Sequence, residues 1–278
     1  MKNKFTKGIC VILVACLFLG AGIILKLYAE KAASGDMLTD EERAELEKEE
    51  EKEPPVKEIT FVNAPEGYWN DALFIGDSRT EGIRMYSGIE GATYFSSVGL
   101  SVYGIEKETV YYEDLGEVTL EQLLTEKKFG KIYIMLGINE LGSNQDTTVF
   151  KYGEILKSIR KLQPETTIFI QANIHVGAEK SNYDAIFKNS TINELNGRLA
   201  TYANNIDTVY IDANPLFDDA NGDLNAEYTG DNVHLYANHY VDWKNWLETK
   251  AVVKDAPEGE DETKTDDGAK KDENKDDK

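Results

Sequence analysis

The chain has 278 residues, a formal net charge of −21 and two cysteines. That charge leaves no basic face to replace phosphate counterions, which argues against nucleic-acid binding. Cys10 and Cys16 both fall in one apolar run near the N-terminus, so the rest of the chain has no disulfide, no thiolate metal site and no cysteine nucleophile.

Lys2, Lys4 and Lys7 precede an apolar stretch from Gly8 to Leu25. At ~1.5 Å per residue this stretch reaches ~27 Å, close to the ~30 Å hydrocarbon core of a bilayer. The preceding lysines predict an N-terminus in the cytoplasm and the bulk of the chain outside. The stretch exceeds the ~7–15 residues of a signal-peptide core, and no small-x-small site follows Leu27. Residues 1–28 therefore read as a short stub and a single-pass transmembrane anchor in the plasma membrane. A lesser alternative is a lipoprotein, because "LVAC" at Leu13–Cys16 resembles a bacterial processing box with Cys16 as the lipidated residue. Either reading, like a cleaved signal, puts the remainder outside the cytoplasm.

Residues 29–57 read as a charged spacer. Its stretch 36–53 carries ten acids and three bases, and Pro54 and Pro55 end any helix there. Residues 58–250 are left as one domain with room for a sizeable core. Residues 251–278 hold eleven acids and six bases and read as a disordered acidic tail.

Within 58–250, five short apolar runs are rich in Ile, Val, Phe and Tyr: "ALFIG" (72–76), "ATYFSSVG" (92–99), "KIYIMLG" (131–137), "TTIFIQAN" (166–173) and "TVYIDAN" (208–214). Glycine or asparagine closes each, as expected of buried parallel strands. Helical patterns lie between them. One covers Thr148–Leu162 and ends before Pro164. Another covers Thr191–Asn204, with Ser190 or Asn189 as its N-cap. A last one covers Tyr236–Lys250, and Arg79, Thr80 and Glu81 open a further helix after the first strand. Alternating strands and helices predict a parallel sheet with helices on both faces, and ligands then bind at the carboxyl ends of the strands.

Four short signals occur in order at those ends: "GDS" at Gly76–Ser78, Gly99 in "SSVGLS", "GIN" at Gly137–Asn139, and "DNVH" with Asp231 and His234. This order resembles the SGNH hydrolase superfamily, also called GDSL-type esterases, over roughly residues 70–250. The resemblance implies a three-layer α/β/α sandwich around a five-stranded, mostly parallel, flavodoxin-like sheet. It implies Ser78 as nucleophile with Asp231 and His234, and an oxyanion hole from the N–H groups of Ser78 and Gly99 and the amide of Asn139. No cofactor and no metal are expected.

The residue types suit that chemistry. A serine hydroxyl needs a base to take its proton, a histidine can do so near neutral pH, and an acid three residues earlier can orient the ring. A glycine lets the backbone approach the substrate, and an asparagine amide donates without carrying charge. The bland alternatives are that Asp231 caps the last helix, that His234 only starts it, and that Asn139 is a loop residue. His239 falls on another helix face and reads as a packing or surface residue.

Three further residues are candidate substrate contacts. Arg79 stands where an aliphatic residue is more usual; it either pairs with an acid such as Glu81 or Glu140 or touches substrate. His175 either lines the pocket or sits in a loop. Tyr103, with Tyr111 and Tyr112, either stacks on sugar faces or packs a loop. Glu140 stands where the family commonly has aspartate and is left out of the site. The expected activity is removal of short acyl groups, acetyl first, from carbohydrate or cell-surface esters. An O-acetyltransferase of wall or capsular polysaccharide and an idle glycan-binding module are the alternatives.

Overall fold

The computed structural model describes residues 59–253. The anchor, the spacer up to residue 57 and nearly all of the acidic tail lie outside the described residues. The folded body runs just past the expected boundary at 250: Ala251 is fully buried and pairs with Val62 in both directions, at 2.9 and 3.1 Å.

In chain order the elements are β1 (Ala72–Gly76), α1 (Ser78–Tyr86), β2 (Thr93–Ser96), β3 (Val110–Tyr112), β4 (Gly116–Val118), α2 (Leu120–Glu126), β5 (Lys131–Met135) and α3 (Gln145–Leu162). There follow β6 (Thr167–Gln171), α4 (Ala178–Tyr183), α5 (Asn189–Ala200), β7 (Thr208–Ile211), α6 (Asn214–Phe217) and α7 (His239–Glu248). Five strands form one sheet in the order β2-β1-β5-β6-β7, and every pairing is parallel. β3 and β4 form a separate antiparallel hairpin.

Every residue of β1, β5 and β6 is buried, because helices cover both faces of the sheet. Side chains alternate between the two faces. Leu73, Ile75, Ile132, Ile134, Ile168 and Ile170 face one way, against Leu123 of α2, Ile159 of α3 and Leu195 of α5. Phe74, Tyr133 and Phe169 face the other way, with Ile83 of α1 and Tyr240 and Trp243 of α7. Their rings lie in register across three strands and stack at 4.7 and 4.3 Å between centroids. The result is a three-layer α/β/α sandwich.

The helix ends shift from expectation for local reasons. α3 starts three residues early because Asn144 Oδ1 accepts the Thr147 N–H at 2.9 Å. α5 is not capped by Asn189 or Ser190; its N-cap is Lys188. The Asn189 side chain instead ties Val176, accepting its N–H at 2.9 Å and donating to its carbonyl at 2.8 Å. α7 starts after Tyr236, whose N–H is held by the Tyr228 carbonyl at 2.8 Å.

β1 is the switch point of the sheet. Its neighbours β2 and β5 lie on opposite sides, so the chain leaves β1 first one way and later the other. A crevice opens at the carboxyl end of such a strand, and there α1 begins with Ser78.

Candidate active site

Gly76 ends β1 at a point where no side chain fits. A Cβ there would lie 2.0 Å from Thr80 Oγ1 and 2.7 Å from the Met135 carbonyl. The chain then turns at Asp77, which caps α1 by accepting the Arg79 N–H on Oδ1 at 2.9 Å. Asp77 is fully buried, and burial raises its carboxyl pKa; the Arg79 charge is the first influence that opposes the rise. Ser78 is thereby the first residue of α1, with its hydroxyl at the sheet edge and its backbone N–H in the unpaired first turn.

Ser78 Oγ lies 2.8 Å from His234 Nε2, across 156 residues of chain. His234 Nδ1 lies 2.7 Å from Asp231 Oδ2. The other oxygen, Asp231 Oδ1, accepts the backbone N–H groups of His234 and Val233 at 2.7 and 2.8 Å, and the Thr229 hydroxyl at 3.3 Å. Partial burial works to raise the Asp231 pKa, but the His234 N–H, the His234 ring and the Val233 N–H outweigh it and hold the pKa at about 2. The carboxylate is therefore charged at neutral pH and can orient the ring and stabilise an imidazolium. Asp231 does not cap α7, which begins eight residues later at His239. Serine, histidine and aspartate thus form one line of hydrogen bonds, suited to moving a proton off Ser78 Oγ.

Gly99 and Asn139 arrive from the two strands flanking β1. The Ser97 N–H donates to the Gly76 carbonyl at 3.3 Å and fixes the turn after β2 against the end of β1. Gly99 has φ +81°, a left-handed conformation that glycine adopts without strain, and a Cβ built there would touch nothing within 4 Å. Asn139 lies in a single 3-10 turn, Ile138–Glu140, after β5. Its Nδ2 donates to the Leu100 carbonyl at 3.0 Å, which orients the amide and leaves a second N–H.

Glu140, left out of the expected site, supports this edge from below. It is 1% exposed, and Oε1 accepts the Val102 N–H at 2.5 Å. Two bonds therefore join the Gly99 turn to the Asn139 turn. Burial pushes the Glu140 carboxyl up to about 7, helped by the charge of Asp77. Its one sequence signal is an acid inside a mostly apolar stretch.

The three candidate substrate contacts have other partners. Arg79 pairs with neither Glu81 nor Glu140 and is only 2% exposed; its guanidinium faces the Val233 carbonyl. Glu81 pairs with Arg84 and accepts from Ser96 Oγ. His175 is buried, and its ring bridges Asp218, at the end of α6, at 2.9 Å and Asn193 of α5 at 2.8 Å, so both ring nitrogens are taken up within the fold. Burial alone would lower the His175 pKa, but the hydrogen bonds with Asp218 and Asn193 and the charges of Asp218 and Asp212 together outweigh it and the pKa rises. The Tyr103 hydroxyl bonds Thr148 Oγ1 at 3.0 Å, and the Tyr112 hydroxyl donates to the Tyr94 carbonyl at 2.7 Å. Both hydroxyls are thus tied to the fold, while Tyr103 itself remains 42% exposed. His239 packs beside Tyr228 and bonds Asp242.

Among the described residues, no group of three or more His, Cys, Asp or Glu is placed to hold a metal ion, and no helix is long and apolar enough to cross a membrane. A cavity of about 490 Å³ opens between α2 and α3, lined by Ile105, Leu120, Leu124, Ile155 and Ile159. None of Ser78, Asp231, His234, Gly99 or Asn139 belongs to its walls.

Residues 74–240 match the family described as GDSL-like lipase/acylhydrolase. No curated protein matches the sequence significantly. Among solved structures, the chain is similar to a GDSL-like lipase from Bacteroides thetaiotaomicron, at 17% identity and a TM-score of 0.49, over 67% of this chain and 89% of that one. It is also similar to a carbohydrate acetylesterase from Sinorhizobium meliloti, at 13% identity and a TM-score of 0.44, over 64% and 95%. A carbohydrate esterase family 3 protein from Talaromyces cellulolyticus matches at 15% identity and a TM-score of 0.42, over 62% and 92%.

Proposed function

The chain belongs to the GDSL-like lipase/acylhydrolase family and is a serine hydrolase acting on ester bonds; on that premise we propose that it is an extracytoplasmic esterase removing short acyl groups, acetyl above all, from carbohydrate or cell-surface esters. The observation that carries the reading is the 2.8 Å approach of Ser78 Oγ to His234 Nε2, with Asp231 2.7 Å behind the ring.

In this reading, His234 Nε2 takes the hydroxyl proton as Ser78 Oγ attacks the ester carbonyl. The Ser78 and Gly99 N–H groups and the free N–H of Asn139 receive the oxyanion. His234 then passes the proton to the departing alcohol, leaving an acyl group on Ser78. A water enters, His234 takes its proton, and the acid leaves as Ser78 is regenerated.

The openness of the site supports a small acyl group on a large polar acceptor. His234 and Asp231 side chains are 42% and 56% exposed, and Val98, next to Gly99, is 81% exposed. An acceptor sugar can lie on such a rim. A long acyl chain gains its affinity from enclosure, at roughly 0.8 kcal/mol per buried methylene. The extracytoplasmic placement rests on the three lysines ahead of the Gly8–Leu25 apolar run.

Turnover of p-nitrophenyl esters of increasing chain length tests the acyl preference: activity highest on acetate and falling with length is expected, and a maximum at eight or more carbons would contradict it. Mass spectrometry of a mixture of acetyl donor and glycan oligomers separates hydrolysis from transfer. Free acetate is expected, and acetylated glycan as the main product would make the enzyme an O-acetyltransferase.

A further inference from the structure

Arg79 takes no proton and faces no substrate in that scheme, yet its side chain is among the largest that are fully buried. It follows Ser78 directly. Nε and Nη2 both aim at one acceptor, the Val233 carbonyl, at 3.4 and 3.2 Å. That carbonyl belongs to the peptide bond whose N–H is His234's own. The same short segment is held from elsewhere too: the Gly177 N–H donates to the Asn232 carbonyl at 2.8 Å, and Asn232 itself sits at φ +63°. Two successive carbonyls are thus fixed from two different parts of the fold.

We infer that Arg79 is a positioning residue for the ester reaction, a strut from the nucleophile's own helix to the peptide bond that carries His234. The inference rests on the reading of Ser78, His234 and Asp231 as the catalytic set. Burying a guanidinium is costly, and an aliphatic side chain would fill the space without that cost. Here Nη1 is buried with no hydrogen-bond partner, and the neighbouring charge of Asp77 offsets part of the burial cost without aiming the guanidinium at Val233. The guanidinium supplies what an aliphatic residue lacks: a rigid, planar pair of donors converging on one carbonyl. Because Arg79 and Ser78 are adjacent on α1, whatever moves the nucleophile moves the strut, and the spacing to His234 Nε2 is preserved.

The test compares wild type, Arg79→Met and Arg79→Lys. Methionine removes the donors and the charge; lysine keeps the charge and a donor on a shorter reach. The readouts are kcat and KM on p-nitrophenyl acetate and the rate at which a fluorophosphonate labels Ser78. Arg79→Met is expected to lower kcat and the labelling rate roughly 10–100-fold with KM little changed, since small misplacements of reacting groups cost rate rather than binding. Arg79→Lys is expected to recover most of the loss. A folded Arg79→Met protein with wild-type kcat, one with raised KM and unchanged kcat, or a loss that lysine does not recover would each overturn the strut. If Arg79→Met does not fold, Asp77→Asn/Arg79→Met removes both buried charges, keeps a capping side chain, and is held to the same kcat and KM outcomes. A wild type that neither labels nor turns over ester overturns the site reading itself, whereas normal wild-type chemistry with unaffected variants overturns the strut alone.

Discussion

Replacing Glu140 by glutamine is expected to change how stability depends on pH. Glu140 is almost fully buried, and its carboxyl pKa is raised from an ordinary 4.5 to about 7 by burial first and then by Asp77, against the Val102 N–H. Between these values the unfolded chain has released the proton while the folded chain retains it. The folded state therefore binds more protons, and stability falls as pH rises from 4.5 through 7, then levels off. At 1.36 kcal/mol for each unit of pKa difference, the whole fall attributable to Glu140 is on the order of 3 kcal/mol. Glutamine keeps an oxygen for the Val102 N–H and has no proton to release. It also places an amide donor where Glu140 Oε2 has no partner, a pH-independent cost of about 1–3 kcal/mol. The slope is thus the readout, not the level. Urea denaturation of wild type and Glu140→Gln protein at intervals from pH 4.5 to 8 gives two curves of stability against pH. The wild-type curve should fall relative to the variant across that window; parallel curves would refute the argument.

Two other expectations are independent of that one. Asn139→Ala should lower kcat by roughly 10²–10³ with KM nearly constant, as removal of an oxyanion donor does; a raised KM with unchanged kcat would make Asn139 a ground-state contact. Protease added to intact cells with the wall removed should release the catalytic domain in active form, and a protected domain would overturn the extracytoplasmic orientation.

The parts of the fold legible in the sequence are those where one physical cause dominates. β1 matches "ALFIG" residue for residue because a strand buried on both faces is an unbroken apolar run bounded by punctuation. The β3–β4 hairpin was not legible: its strands are three residues each and only partly buried, too short for an alternating pattern. α2 is not legible either, although Thr119 and Gln122 form a capping box, because the helix that follows is only seven residues long. The site divides in the same way. Ser78 announces itself by its type at the end of β1, and Asp231 and His234 by their types and three-residue spacing, although the structure places them not at a strand end but in the segment before α7, twenty or more residues beyond β7. Arg79 does not, because its acceptor is a backbone carbonyl 154 residues away and sequence offers only nearby acids as partners. His175 is similar, since Asn193 of α5 and Asp218 at the end of α6 reach its ring only through the packing of separate elements.

The central claim is that Ser78 is a nucleophile activated by His234. The most direct measurement treats wild-type, Ser78→Ala and His234→Ala proteins with a fluorophosphonate, maps the labelled peptide, and follows ester turnover alongside circular dichroism. The account predicts one label, on Ser78, in the wild type, no label in folded Ser78→Ala protein, and turnover lost almost equally in both variants because the two residues act as a unit. Label on another residue, or substantial ester turnover by folded Ser78→Ala protein, would contradict it.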